Sequence, residues 1–444
     1  MKVNMKVKSK KRSLLLFAVV CAVSLVLQGC VSGESSGRSE TGGGEAAGGP
    51  VELVFSTHWV GEDGKAGVVQ KIVDNFNAQH EGKAKVRIDS IPDDDIYQDK
   101  MKTNLATDSL PDIFTFYYNP VESQRYYSSG KLLDLKPYMS DSWAQNMNED
   151  VLSIGRFDDQ LLAIPLDQMI TPIFYNKSLF EAAGIDTFPQ TWDDMIEAAE
   201  ALKQNGVYAF AMGTGENAWS AMLLYSYIVS SIGGPDVMRN GLDDPAYVQA
   251  AELLRQLFGY APKDAIGATY QQYASHYLNE KAAMIVNGPW MISEFMEKGG
   301  EALAAKMGVG TSPAAQNGKG KQGALISGVG WTMAAKKQED EKRAEYAAKF
   351  IEFFTHPDNA KQIFLESGEI FESTNYSIED GDPIDPISQE ILKKLNEAPQ
   401  TFDYFEGMTS SAVKIEFPAA LSGLVLGEYT PEQFVDMLKK ANSE

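Results

Sequence analysis

From Val51 onward the chain alternates short apolar runs with segments whose apolar residues recur every three or four positions. The run "VELVFSTHW" (Val51–Trp59) is rich in β-branched and aromatic residues and predicts a strand. In "AGVVQKIVDNFNAQH" the residues Val68, Val69, Ile72, Val73 and Phe76 fall on one helical face. "KAKVRIDSI" returns to strand alternation at Val86 and Ile88, "DIYQDKMKTNLATDS" predicts a second helix, and "PDIFTFYY" reads as a buried strand. Strands alternating with amphipathic helices indicate an α/β domain with a largely parallel sheet. Ligands of such sheets sit at the carboxyl ends of the strands.

The pattern changes after Ile164. Ile170 to Tyr175 is strand-like, and a helix with Leu179, Phe180 and Ala183 follows, stopping at Gly184. In "TWDDMIEAAEALKQNG", Thr191 is a good N-cap and Gly206 a C-terminal stop. The chain is then helix-rich to about residue 325, apart from "YAFAMG", "KAAMIVNG" and the loop "SPAAQNGKGKQGAL". A strand "VGWTMAAK", the helices "DEKRAEYAAKFIEFFT" and "NAKQIFLESG", and a capped last helix "TPEQFVDMLKKAN" complete the body.

The amino terminus has a different character. Lys2, Lys6, Lys8, Lys10, Lys11 and Arg12 precede an uncharged run from Leu14 to Leu27, too short to span a bilayer. Leu27-Gln28-Gly29-Cys30 then resembles the lipobox of bacterial lipoprotein precursors. That resemblance implies a signal peptide over residues 1–29, a diacylglyceryl group on the Cys30 thiol, and cleavage just before it. An ordinary secretory signal with a chance cysteine, or an uncleaved anchor, would be the alternatives. "VSGESSGRSETGGGEAAGGP" has almost nothing to bury, so residues 30–50 read as the lipidated cysteine and a flexible tether. The other cysteine, Cys21, lies in the segment to be removed, so no disulfide can form within the mature chain.

Composition narrows the function. There are 39 basic and 61 acidic residues, a formal charge of −22; losing the six leader bases leaves 33 against 61, or −28. So acidic a surface argues against nucleic acid and against direct adhesion to anionic lipid, leaving the lipid as the only membrane contact. At 444 residues with 44% hydrophobic and 10% aromatic side chains, the chain can fill two ordinary domains.

Four blocks in order carry a family resemblance: "LPDIF" (Leu110–Phe114), "IPLDQMITPIFYNKSLFEAAGI" with "FPQTWDDMIEAAEAL" (Ile164–Leu202), "EKAAMIVNGPW" (Glu280–Trp290) and "YAAKFIEFFTHPDNAKQIFLESG" (Tyr346–Gly368). Together they resemble the extracellular solute-binding proteins of ABC importers, of the large family that includes maltose- and multiple-sugar-binding proteins. The resemblance covers essentially all of residues 51–444. It implies a two-lobed α/β fold of the periplasmic-binding-protein type II, with a hinge between the lobes. Residues 51–165 plus 328–372 would form the N-terminal lobe, and residues 166–327 plus 373–444 the C-terminal lobe. The implied protein is a monomeric, lipid-anchored, extracytoplasmic carrier that captures a carbohydrate, delivers it to membrane permease subunits, and needs no cofactor or metal.

Sugars are recognised by aromatic rings against C–H faces and by polar side chains on hydroxyls. Trp290 is the first candidate, because "NGPW" follows a strand and matches the family position that stacks on sugar. Trp331 begins the return strand, and His58 and Trp59 end the first one. Tyr117, Tyr118 and Asn119 lie where the family's N-lobe loop meets ligand, Asp167 and Gln168 on the crossing segment, and Glu216, Asn217 and Trp219 at a loop-to-helix start. Asp112 and Trp192 read as structural, Trp143 as surface packing, and Tyr404 and Phe405 as minor contributors.

Other classes find less support. The four histidines form no metal-spaced pair, and no G-x-S-x-G is present. The acidic stretches "PDDD" (Pro92–Asp95) and "EDGDPID" (Glu379–Asp385) fit no EF-hand loop and read as solvated loops. A carrier of a polyamine or peptide, and an exported carbohydrate-active enzyme, are the remaining alternatives.

Overall fold

The computed structural model describes residues 49–379 and 381–443. The lipobox with Cys30 and the tether up to residue 48 lie outside the described residues. Strand β1 (Val51–Thr57), helix α1 (Ala66–Gln79), β2 (Ala84–Ser90), α2 (Asp94–Thr107) and β3 (Ile113–Tyr117) follow in the order that the hydrophobic pattern predicts. Helix α1 buries Val68, Val69, Ile72, Val73 and Phe76, the stripe spaced for one face. Helix α2 starts from Asp93, whose carboxylate accepts the Ile96 N–H at 2.8 Å, with Asp94 and Asp95 in its first turn. Pro92–Asp95 is therefore a helix start, not a solvated loop, since acids there meet free N–H groups. In the other acidic stretch, Asp382 pairs with Lys361 at 2.7 Å and Asp385 caps the helix Pro386–Glu397.

Beyond helix α3 (Pro120–Tyr127) come strands β4 (Ile164–Pro165), β5 (Gln168–Ile170), β6 (Ile173–Asn176), β7 (Tyr208–Phe210), β8 (Ala282–Val286), β9 (Met307–Gly310), β10 (Leu325–Val329), β11 (Trp331–Ala335) and β12 (Thr401–Phe402). One sheet runs β2-β1-β3-β11-β4, a second β9-β6-β8-β7, and a third β12-β10-β5. In the first sheet β1 is parallel to β2 and β3, and β11 is the one strand that runs against its neighbours. It arrives from the third sheet through Gly330, which fixes its direction. Strand β9, "MGVG", was not marked by the pattern, because two of its four residues are glycines.

Each of the two larger sheets has its own core. Around the first, Phe55, Phe76, Phe114, Phe350 and Phe354 cluster, with Phe55 and Phe350 rings 5.3 Å apart. Trp143, expected at the surface, is fully part of this core: it is 2% exposed and its indole N–H donates to the Thr355 hydroxyl at 3.0 Å. The short helix Asp141–Asn146 turns it inward, a placement no local periodicity reveals. The second core gathers Phe210, Tyr225, Tyr227, Phe405, Phe417 and Phe434 around helix α4 (Trp219–Gly233), whose side chains are buried on nearly every face. Trp192 belongs here, its N–H on Ser231 at 2.7 Å. No helix among the described residues is long and apolar enough to cross a membrane.

Three segments join the sheets. The chain leaves β4 through Leu166 and Asp167 into β5, and returns through β10, antiparallel to β5 with Val329 opposite Gln168, into β11. A third segment runs alongside: the Gln168 N–H donates to the Ile370 carbonyl at 2.7 Å, and the Glu372 N–H to the Leu166 carbonyl at 2.9 Å. The Glu372 side chain pays for its place here, because one carboxyl oxygen is buried without a partner and burial lifts its pKa from the usual 4.5 to about 7.

That lift has a sign. Between 4.5 and about 7 the folded chain holds a proton on Glu372 that the unfolded chain has lost, so stability falls as pH rises through this window and is flat above it. Glu372→Gln removes the slope. The variant should be more stable than the parent by on the order of 2 kcal/mol at about pH 8 and equal to it at about pH 4. Urea unfolding at both pH values tests this; an equal offset at both would mean that Glu372 is not the titrating group.

Candidate functional site

The carboxyl ends of β1 and β3 and the start of β11 face a cavity of about 370 Å³. His58 follows β1 and is 7% exposed, its ring 4.0 Å from the Trp331 ring. Burial first, and then the nearby Lys65 ammonium, push its pKa down to about 3, so the imidazole is neutral, and its Nδ1 is buried without a partner. Tyr117 ends β3 edge-on to Trp331 at 5.3 Å. These three side chains form an aromatic wall.

Below them lies a buried charge cluster. Asp167, 3% exposed, accepts the Trp331 backbone N–H with its carboxylate. Gly330 permits this approach, because a Cβ there would come within 2.9 Å of the carboxylate oxygen. Burial, and then Glu369, push the Asp167 pKa well above the carboxylate range. Lys65, just before α1, is bonded to Glu369 at 3.1 Å and lies 3.8 Å from Asp63. Burial opposes its charge, but Asp63 and Glu369 outweigh it and hold the ammonium above its ordinary pKa. The second carboxylate oxygen of Glu369, in a residue 1% exposed, has no partner.

The opposite wall comes from the second sheet. Glu216 sits in left-handed backbone (φ 51°), with its carboxylate accepting the Tyr270 N–H at 2.9 Å. Asn217 receives the Trp219 N–H at 3.2 Å, and the Trp219 indole reaches Asn287 at 3.4 Å. Trp290 follows β8 on a single 3₁₀ turn, half-buried. Its indole lies flat against Gly288, where a Cβ would fall 2.0 Å from a ring carbon. Met169, Tyr270 and Met291 complete the lining.

One side of the cavity is closed by Lys414, which pairs with Glu406 at 2.9 Å and with Asp95 of α2 at 2.8 Å. Asp94, exposed in the first turn of α2, stands beside them on the cavity lining. Beyond this partition lies an adjoining cavity of about 310 Å³, which shares Tyr117, Glu216, Asn217, Glu406 and Lys414.

Of the residues expected from sequence, His58, Tyr117, Asp167, Glu216, Asn217, Trp219, Trp290 and Trp331 meet around the larger cavity. Four do not. Trp59 is fully buried one layer behind, stacked on Phe354 at 6.3 Å, because it follows His58 on the opposite side of the chain. Tyr118 points away, toward Asp403 and Arg239. Gln168 is used between crossing strands, its amide on the Ser327 hydroxyl at 2.8 Å. Asn119 caps α3 and lines the adjoining cavity, its amide donating to the Gly407 and Thr409 carbonyls at 3.2 and 2.7 Å. Asp112 is structural as expected, clamped by Arg343 and by the Val54 N–H. Tyr404 and Phe405 are buried, Tyr404 with its hydroxyl on the Val329 carbonyl at 3.3 Å. The charged groups Asp63, Lys65, Asp94, Glu369, Glu406 and Lys414 were not named as site residues by the sequence reading, since the pairs that assemble them, Lys65 with Glu369 and Lys414 with Asp95, lie 304 and 319 positions apart.

The model of the family described as bacterial extracellular solute-binding protein matches residues 61–361. The chain belongs to that family. It is 22% identical over 337 residues to a multiple sugar-binding protein of Streptococcus mutans, a match covering 72% of this chain and 76% of that one. It is 24% identical over 295 residues to an uncharacterized ABC transporter extracellular-binding protein of Pyrococcus horikoshii, covering 64% of this chain and 65% of the relative. Among solved structures, a chitin oligosaccharide binding protein superposes with a TM-score of 0.78 at 21% identity, over 89% of this chain and 98% of the other. The fold is thus that of the two-lobed solute-binding proteins.

The seat of Trp290 yields a paired prediction. Trp290→Ala should weaken binding of a saccharide ligand by roughly 30-fold or more, the loss of an anchor of about 2 kcal/mol. Gly288→Ala should do nearly the same, since its methyl evicts the indole while its backbone (φ −100°) is unstrained. Calorimetric titration and urea unfolding of both variants check this. Unaltered affinity with a loss of about 3–5 kcal/mol of folding stability would make Trp290 a core residue instead.

Proposed function

We propose that this chain is a lipid-anchored, extracytoplasmic carrier that captures a carbohydrate between its lobes and hands it to the membrane permease of an ABC importer. The observation that carries the reading is the meeting, in one cavity, of Trp331 and Tyr117 from one sheet with Trp219 and Trp290 from the other, among carboxylates and an Asn amide. Flat aromatic faces suit pyranose C–H faces, and the acids and amides suit hydroxyls. A multiple sugar-binding relative and a chitin oligosaccharide binding protein of the same fold favour a saccharide of more than one unit. The adjoining cavity beyond Lys414 supplies room for a further unit. The lobes are residues 51–165 with 328–372 and residues 166–327 with 373–444. Ligand contacts from both sides exist only when the lobes are together, so binding favours closure. A second reading, a carrier of an oligoamine, is favoured by the six carboxylates that face the cavity.

A thermal-shift screen of the chain over mono- and oligosaccharides, with spermidine alongside, tests the main reading. The cognate sugar at 100 times its Kd should stabilise the protein by about 2.7 kcal/mol. Stabilisation by spermidine and by no saccharide would replace the carbohydrate reading with the oligoamine one.

The anchor is tested separately. Cys30→Ser should leave folding unchanged, because the thiol lies ahead of a Gly/Ser-rich tether. The variant should move from the detergent phase to the aqueous phase on detergent partitioning; equal partitioning of variant and parent would dismiss the lipobox.

A further inference from the structure

We infer that the two adjoining cavities are one groove for a saccharide chain, and that Lys414 is the movable partition that selects the chain by its length. The inference rests on the carbohydrate reading above and adds to it the residue that decides how many units are held. The cavities, of about 370 and 310 Å³, each stand near the lower end of the roughly 300–1,000 Å³ usual for a ligand pocket, and joined they reach the middle of that range. They meet at five residues, Tyr117, Glu216, Asn217, Glu406 and Lys414.

Tyr117, Glu216, Asn217 and Glu406 are each held in place. The Tyr117 ring stands edge-on to Trp331 at 5.3 Å and to Tyr404 at 6.3 Å. Glu216 accepts the Tyr270 N–H at 2.9 Å, and Asn217 accepts the Trp219 N–H at 3.2 Å. Glu406 opens a single 3₁₀ turn whose Gly407 carbonyl accepts the Asn119 amide at 3.2 Å. Lys414 differs. It reaches the junction on a long unbranched stem and divides its ammonium between the nearly buried Glu406 and the exposed Asp95. When the ammonium leaves Glu406 it keeps Asp95 as a partner, and a ligand hydroxyl can take its place on Glu406.

The linings on the two sides of the partition suit the same ligand. The larger cavity presents Trp219, Trp290 and Trp331. The adjoining one has Phe116 and Tyr126 stacked at 4.5 Å, with Gln98, Ser410 and Ser411 as neutral hydrogen-bonding groups. A short saccharide fills the larger cavity with Lys414 in place. A longer one extends past it only by breaking the bond between Lys414 and Glu406, and the loss of that charged bond counts against every chain that does so.

The test is calorimetric titration of the chain with unbranched saccharides of one to six units in four series: α-1,4-linked glucose, and β-1,4-linked glucose, xylose and N-acetylglucosamine. The quantity read is the affinity for the longest member of the series that binds, divided by that for the shortest. Lys414→Ala should raise this ratio roughly tenfold or more, the worth of one charged hydrogen bond. Because that substitution leaves Glu406 without its cation, Lys414→Ala combined with Glu406→Gln serves as a second variant and should move the ratio in the same direction. Ser411→Trp, which places a bulky ring in the adjoining cavity, should lower the ratio below the parent's. A ratio left unchanged by the Lys414 variants, or by Ser411→Trp, overturns the inference and leaves the carbohydrate reading standing. Binding of no saccharide in any series overturns the carbohydrate reading and this inference with it.

Discussion

The carboxylate of Asp167 accepting the backbone N–H of Trp331 is the contact on which the cleft depends. It lies where three chain segments cross between the sheets, and each segment places something on it. The first contributes Asp167 itself, the second Gly330 and Trp331, and the third Glu369, which shares the Lys65 ammonium with Asp63. Acids and ammoniums this deeply buried are tolerated only when paired or hydrogen-bonded, and removing one partner leaves the others uncompensated. The cluster therefore fixes the crossing as a unit. His58 and Trp331 pack against each other directly above it, so the aromatic wall inherits its position from the ions beneath.

Much of this was legible along the chain, and the division between what was and was not follows from range. The strands and helices from Val51 to Tyr117 were readable because their apolar periods are local, and the core of α1 is the very stripe seen in sequence. Trp290 and Trp219 were readable because each begins just past a strand or at a helix start, where side chains point to the carboxyl edge of a sheet. Trp59 was not separable from His58, since adjacent residues leaving a strand face opposite ways and the sequence does not say which way is the cleft. Lys65 and Glu369 are 304 positions apart, and neither has any local feature to distinguish it from the many other charges of an acidic chain. Trp143 was misjudged for the same reason: its partner, Thr355, is 212 residues away.

The charges of the cleft also bear on how its two sides are held together. Opposite the crossing segments, the sides touch through Lys414 on Asp95 and through the Asn119 amide on the Gly407 and Thr409 carbonyls. Asp95 is 63% exposed, and an ion pair so open to water is worth little, typically below about 1 kcal/mol. The Asn119 bonds are neutral and exchange for bonds to water on opening, so each is worth about 1 kcal/mol. Neither contact locks the cleft. A ligand that adds bonds to both walls at once then dominates the balance, since a shift from mostly open to mostly closed requires only a few kcal/mol of preference. The partly buried Glu406 sharpens this, because Lys414 faces it and Asp95 together and is itself only 16% exposed. Any group that competes for Glu406 frees Lys414 toward Asp95 and strengthens that charged contact. Occupation of the floor and contact at the rim are in this way linked through a single lysine, and the acids around it set the chemistry of what can be held there.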